Sequence, residues 1–295
     1  MKLIESEVII KEQEPGIDGI YKQIEWAGRH CYKSHDKITE DSAKEFVDRM
    51  IKSKHGAMLE HGTVYLCIEN YTDIDEEKYK LNSHSRVTCV FPNLLYVTTN
   101  MRVLVEHGWL DDLKWICEPT EYHEKRITTR FICDRGVSHE IVRHRVMSFA
   151  MESTRYCNYE KDKFGNELTY VSPSWLNIDK LLPLVDLANI DNKEVYRMGH
   201  DESLSNEDRA MCSFIYDLSN CEHGYMFQIK CGWQAQQARQ LLPNALKTEI
   251  VVTGFESDWE HFFSLRSPKY GAQGVHPDMA KLADELYEKL NSVNK

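Results

Sequence analysis

The sequence is short of several things, and each shortage narrows what the chain can be. No apolar run approaches the roughly 20 residues that a membrane helix needs, so no spanning segment is expected. The opening Met-Lys-Leu-Ile-Glu-Ser-Glu is too polar for a secretory signal, and none is expected. Positive charge is in the minority: 36 Lys and Arg stand against 47 Asp and Glu, a net charge of -11. General nucleic-acid binding rests on many phosphate contacts, so that balance argues against a polynucleotide partner, as does the lack of repeated basic–aromatic patches. The nine cysteines are odd in number and show no C-x-x-C spacing, which gives neither a disulfide framework nor a zinc pattern. Reduced core thiols in a cytoplasmic protein are expected.

What the chain has is core material. Hydrophobic residues make up 42% and aromatics 11% of 295 residues, the profile of a globular protein that buries an ample core. A single domain over 1–295 is expected, with excursions at about 70–125 and 157–203.

Against the acidic whole, one stretch is basic. Arg143-His144-Arg145-Val146-Met147-Ser148-Phe149-Ala150-Met151-Glu152-Ser153-Thr154-Arg155-Tyr156 gathers three guanidinium groups, and only Glu152 opposes them. Guanidinium groups are planar donors suited to paired hydrogen bonds with phosphate, and the neighbouring hydroxyls fill remaining acceptors. A small anionic ligand is the functional reading; a solvated loop paired with surface carboxylates is the bland one. Taken singly, Arg155, Arg239 and Arg266 read as surface ion pairs worth about 0–1 kcal/mol.

Helical spacing predicts helices over 16–34, from Thr39 to Ile51, from Asn100 to Ile116, over 205–231, over 256–265 and from Pro277 to Leu290. In the fourth of these, Met211, Ile215, Leu218, Tyr225, Phe227 and Ile229 are expected to be buried. Strands are expected at 64–68, 94–99, 127–133 and 248–253. Residues 70–84 read as a loop, 137–145 as a short helix delivering Arg143–Arg145, and 157–203 as a surface excursion with a turn at Leu181–Leu184. The fold class is α+β, an antiparallel sheet flanked by long helices. His55, Glu60 and His61 at a strand entrance make a weak metal candidate, lacking a third well-spaced ligand. His139 and His144 are five apart, so they do not share a helix face as a zinc-protease pair does. No metal is expected.

Together these segments resemble the flavin-dependent thymidylate synthases. The Arg-His-Arg-x-x-Ser and Ser-x-Arg-Tyr pattern runs without a gap from Arg143 to Tyr156. His55 to His61 is similar to the family's His-x-x-x-x-Glu-His, Ala238 to Pro243 to its Ala-Arg-x-x-Leu-Pro, and His261 to Arg266 to its late helix ending in Leu-Arg. The resemblance spans about residues 15–290. It implies a chain that makes dTMP from dUMP, with methylenetetrahydrofolate as carbon donor and NADPH reducing a bound FAD, in a homotetramer with active sites at subunit interfaces. By resemblance, Arg266 would face the pyrimidine as the catalytic residue. Glu140, Arg143, Ser153, Arg155 and Arg239 would hold the nucleotide, Arg155, Arg239 and the Ser153 amides and hydroxyl addressing its phosphate. Glu60, Arg143, His144, Arg145 and His261 would grip FAD.

No Pro-Cys pair occurs in the sequence, which argues against the conventional route through a cysteine nucleophile. The chain departs from the family at Ala150 and Met151, where Glu152 is expected to supply the missing polar contact, and at Ala57, Phe255 and Ser257. Phe255 is expected to offer a ring for stacking. These departures keep two other readings open: a hydroxymethylated pyrimidine product on the same fold, and a non-catalytic nucleotide-binding module.

Overall fold

The computed structural model describes residues 1–293 apart from residues 182 and 188. Its strands are β1 (Lys2–Ile4), β2 (Glu7–Lys11), β3 (Thr63–Glu69), β4 (Arg86–Val90), β5 (Leu94–Asn100), β6 (Arg126–Asp134), β7 (Ser148–Met151), β8 (Thr169–Val171) and β9 (Lys247–Phe255). The first helices are α1 (Gly16–Tyr32), α2 (Ser42–Lys52), α3 (Gly56–Leu59), α4 (Asp73–Lys80), α5 (Met101–His107) and α6 (Arg135–Ile141). They are followed by α7 (Ile178–Leu181), α8 (Asn192–Gly199), α9 (Asn206–Lys230), α10 (Ala235–Ala238), α11 (Glu256–Arg266) and α12 (Pro277–Val293).

The principal sheet has the order β2-β6-β9-β7, antiparallel throughout, with Val251 of β9 opposite both Arg130 and Ala150. Eight of the nine β9 residues are buried, because helices cover both faces. That explains why Ile250, Val251 and Val252 are consecutively apolar in place of alternating. On one face Phe131, Ile250 and Val252 pack with Trp259, Phe262 and Phe263 of α11 and Met279, Leu282 and Leu286 of α12. On the other, Ala150 and Val251 join Ile20, Ile24 and Ala27 of α1 and Phe46 and Val47 of α2. A second antiparallel sheet, β3-β5-β4, continues that second core through Leu66 and Val97, and β1 pairs with β8 in parallel.

The α+β architecture matches the expectation; several elements do not. Residues 70–84 are no plain loop but contain α4, closed by a capping box in which Thr72 and Asp75 each satisfy the other's backbone N–H. Only Tyr79 of that helix is buried, so it carries almost no hydrophobic period. The helix expected to reach Ile116 stops at His107, where Gly108 takes a left-handed φ of 72°, and a 3-10 segment runs over Leu110–Trp115. Helix α6 ends at Ile141, so Arg143, His144 and Arg145 stand in a turn rather than on the helix. The excursion over 157–203 holds β8, α7 and α8, and Leu181 and Val195 share a core with Met211 and Ile215 of α9. Leu182 of the turn expected there lies outside the described residues. Helix α9 runs as expected, capped by Ser205, but Phe227 stays 66% exposed and is not core.

Candidate active site

The principal sheet brings two distant pieces of sequence to one place. Asp134, at the end of β6, caps α6 by accepting the Val137 N–H at 2.9 Å. The helix carries Glu140 in its last turn, and the chain then passes through Arg143, His144 and Arg145 into β7. Across the sheet, β9 leads directly into α11, whose final turn presents Arg266.

Arg266 is held from three sides. One Nη pairs with the Glu140 carboxylate, the other donates to the Glu140 carbonyl at 3.4 Å, and Nε donates to His144 Nε2 at 3.3 Å. His144 Nε2 is therefore an acceptor, which requires a neutral ring protonated at Nδ1. Burial, followed by the charge of Arg266 and the neighbouring His261, pushes the His144 pKa down to about 4. The His261 and His144 rings lie 6.3 Å apart. Glu140, His144, His261 and Arg266 thus form one cluster.

Among the described residues, Arg135, Arg143, Arg145, Arg155 and Arg239 make no ion pair and no side-chain hydrogen bond within the chain. Free guanidinium groups are notable in a chain with eleven excess negative charges. Arg239 shares a cavity of about 260 Å³ with Arg135, Thr154, Gln240 and Leu242. Two guanidinium groups and a hydroxyl in one small cavity suit a phosphate. Arg135 and Thr154 escaped the sequence reading, although Arg135 is a cation at a helix start eight positions before Arg143. A larger cavity of about 730 Å³, lined by Ile10, Thr63, Tyr65, Arg126 and others, contains none of these five arginines.

Other candidates stand apart or are already engaged. Glu152 is 2% exposed, its carboxylate bonded to Lys247 at 2.9 Å and Tyr159 at 3.0 Å, so it does not face a ligand. The Ser153 N–H donates to the Cys31 carbonyl at 2.9 Å, which leaves its hydroxyl rather than that amide for an anion. Ala150 is 1% exposed in the α1 core, a position where a polar side chain would be buried.

Glu60 pairs through its carboxylate with Arg102. Its carbonyl accepts from Arg126 at 2.9 Å, and Arg126 also reaches Ser148 Oγ at 3.3 Å, tying Glu60 to the basic stretch. Arg126 was not foreseen from the sequence. Phe255 does not offer a stacking face: it is buried, with the guanidinium groups of Arg86 and Arg126 at 4.3 and 5.4 Å from its ring centre. The Ser257 hydroxyl bonds to Glu124. His55 is exposed while His61 is fully buried against Thr253 at 2.9 Å, and the described residues hold no group arranged to bind a metal.

An FAD pyrophosphate needs cations at an accessible surface. The exposed, unpaired Arg143 and Arg145 fit that requirement. Positions 255 and 257 contribute nothing free to it.

A family model described as thymidylate synthase complementing protein matches residues 121–293. Among curated proteins, the flavin-dependent thymidylate synthase of Corynebacterium diphtheriae is 28% identical over 159 residues, covering 54% of this chain and 56% of that protein. The one from Corynebacterium efficiens is 30% identical over 163 residues, covering 54% and 56%. The chain thus spans a little over half the length of these relatives. A solved UMP/dUMP methylase from Streptomyces cacaoi aligns with 99% of this chain and 92% of its own, at a TM-score of 0.44 and 14% identity. Thymidylate synthase X from Helicobacter pylori, solved with FAD and dUMP, aligns over 96% and 92% at a TM-score of 0.38 and 15% identity. Likeness that low does not bear on substrate.

Proposed function

The chain belongs to the thymidylate synthase complementing protein family, and from that premise we propose that it methylates dUMP to dTMP with FAD as cofactor. The observation that carries this reading is the pair Arg135 and Arg239, which share one small cavity with Thr154 and, among the described residues, have no carboxylate partner. In this reading Arg135, Arg239, Arg155, Thr154 and the Ser153 hydroxyl bind the nucleotide phosphate. Arg266 faces the pyrimidine, where its fixed charge stabilises negative charge developing on the ring. Glu140 and His144 hold the guanidinium in place; a neutral His144 does so without repelling it. Arg143, Arg145 and His261 bind FAD, with Glu60 joined through Arg126 to Ser148 of the same basic stretch.

FAD, when bound, supplies the hydride that completes the methyl group. Methylenetetrahydrofolate is the carbon donor and NADPH the reductant, and no cysteine nucleophile is used. Consistent with that, burial pushes Cys31 and Cys117 up to about 11 and Cys157 up to about 12, away from the thiolate form. The exposed arginines fit sites completed by a neighbouring subunit, in a homotetramer working in the cytoplasm.

The test is spectroscopic. Purified protein should take up FAD, and NADPH should bleach the flavin absorbance. Protein that stays colourless with excess FAD overturns the proposal.

A further inference from the structure

Beneath the anion-binding turn lies a buried charged network that the proposed chemistry does not use. Lys247 Nζ lies 2.9 Å from Glu152 and 2.7 Å from Glu249. Lys33 pairs with Glu249 and lies 3.7 Å from Glu152. Arg130 and His30 approach Glu249 at 3.8 and 3.6 Å. Burial pushes His30 down to about 3, so its ring is neutral, and three cations face two carboxylates.

Such a network is a poor way to gain stability, because desolvating several charges offsets much of their attraction. Its use is geometric. Lys33 sits in the left-handed conformation (φ 49°) that ends α1, and Glu152 immediately precedes Ser153. The turn is fastened to the same end of α1 at two further points: the Ser153 N–H donates to the Cys31 carbonyl, and the Tyr156 ring packs 5.2 Å from that of Tyr32. The Glu152 N–H also donates to the Glu249 carbonyl at 2.9 Å, which fixes the turn to β9.

We infer that Glu152, held by Lys33, Lys247 and Tyr159, is a positioning residue that sets the anion-binding turn 153–155 and does not itself touch the nucleotide. The inference rests on the uridylate reading of that turn. It assigns Glu152 the opposite orientation to that expected from the sequence, toward the core and away from the ligand.

The test uses the full chain with its flavin, measuring dUMP and FAD dissociation constants alongside KM and kcat. Glu152→Gln should raise the dUMP Kd and KM roughly ten-fold, the scale of coupling through a packed polar network. FAD affinity and kcat at saturating dUMP should stay within about two-fold, because the flavin grip and the reacting groups are untouched. Tyr159→Phe removes one hydrogen bond to Glu152 and should raise the dUMP KM about three-fold. An unchanged dUMP affinity in folded Glu152→Gln overturns the inference, as does a matching loss of FAD and dUMP affinity. If Glu152→Gln does not fold, Tyr159→Phe decides: a selective rise in dUMP KM supports the inference and no change overturns it. Wild-type protein that binds no dUMP sinks the uridylate reading itself, whereas wild-type binding with unaltered variants sinks only this inference.

Discussion

Mild acid should destabilise this protein well above the pH at which carboxylates protonate. His30, His61 and His144 are 0%, 0% and 7% exposed, and burial, the largest cause in each case, pushes their pKa values down to about 3, 3 and 4. In the unfolded chain each should titrate near 6.5. A base whose folded pKa is depressed leaves the folded state short of protons relative to the unfolded one. Its contribution is complete above the unfolded pKa and is lost as pH falls toward the folded value. Between pH 7 and 5 each ring forfeits about 2 kcal/mol, so the three together forfeit roughly 5–6 kcal/mol, a large share of typical domain stability. His35 and His123 shift in the same direction and add to the trend. In a chain of this size the melting temperature should fall by roughly 10 °C over that interval. The assay is thermal unfolding followed by circular dichroism at fixed ionic strength from pH 8 to 4. His61→Gln should flatten the dependence by about a third. A melting temperature level down to pH 5, declining only where carboxylates titrate, would refute the burial argument.

Arg266→Lys keeps the charge but not the fork that engages Glu140 and His144, so kcat/KM should fall by roughly 10²–10³. Because that ion pair is only part-buried, the melting temperature should move little. Arg239→Ala should raise the dUMP KM at least about ten-fold while FAD affinity holds, checked by steady-state kinetics and flavin titration. Leu282→Ala, at a fully buried position against the sheet, should cost about 2–5 kcal/mol, read from the urea midpoint.

The candidate site was legible in the sequence where its residues are contiguous. Arg143 to Tyr156 concentrates cations opposed in sequence only by Glu152, and among the described residues Arg143, Arg145 and Arg155 have no carboxylate partner. Arg266 and Glu140 lie 126 positions apart and meet because β9 runs straight into α11 beside α6. No local pattern announces such a meeting. Arg135 and Thr154 were missed for the same reason, since they face Arg239 only after α6 and the turn past β7 converge. Glu152 was misread because its partners Lys33 and Lys247 are remote in sequence, and a carboxylate among arginines reads as surface. In the fold, the amphipathic helices α1, α2 and α12 declared themselves by their period, and α9 and α11 by large buried residues such as Ile215, Trp259 and Phe262. Helix α4 did not, being stabilised by its cap and charges more than by an apolar face. Strand β7 was hidden by the chemistry of its own residues.

The most direct measurement is the mass of the nucleotide formed when the purified protein, loaded with FAD, meets dUMP, methylenetetrahydrofolate and NADPH. The expected product is dTMP, heavier than dUMP by one methylene, with formation dependent on FAD. A product carrying an additional oxygen, or unaltered dUMP from a folded protein that has taken up FAD, would contradict it.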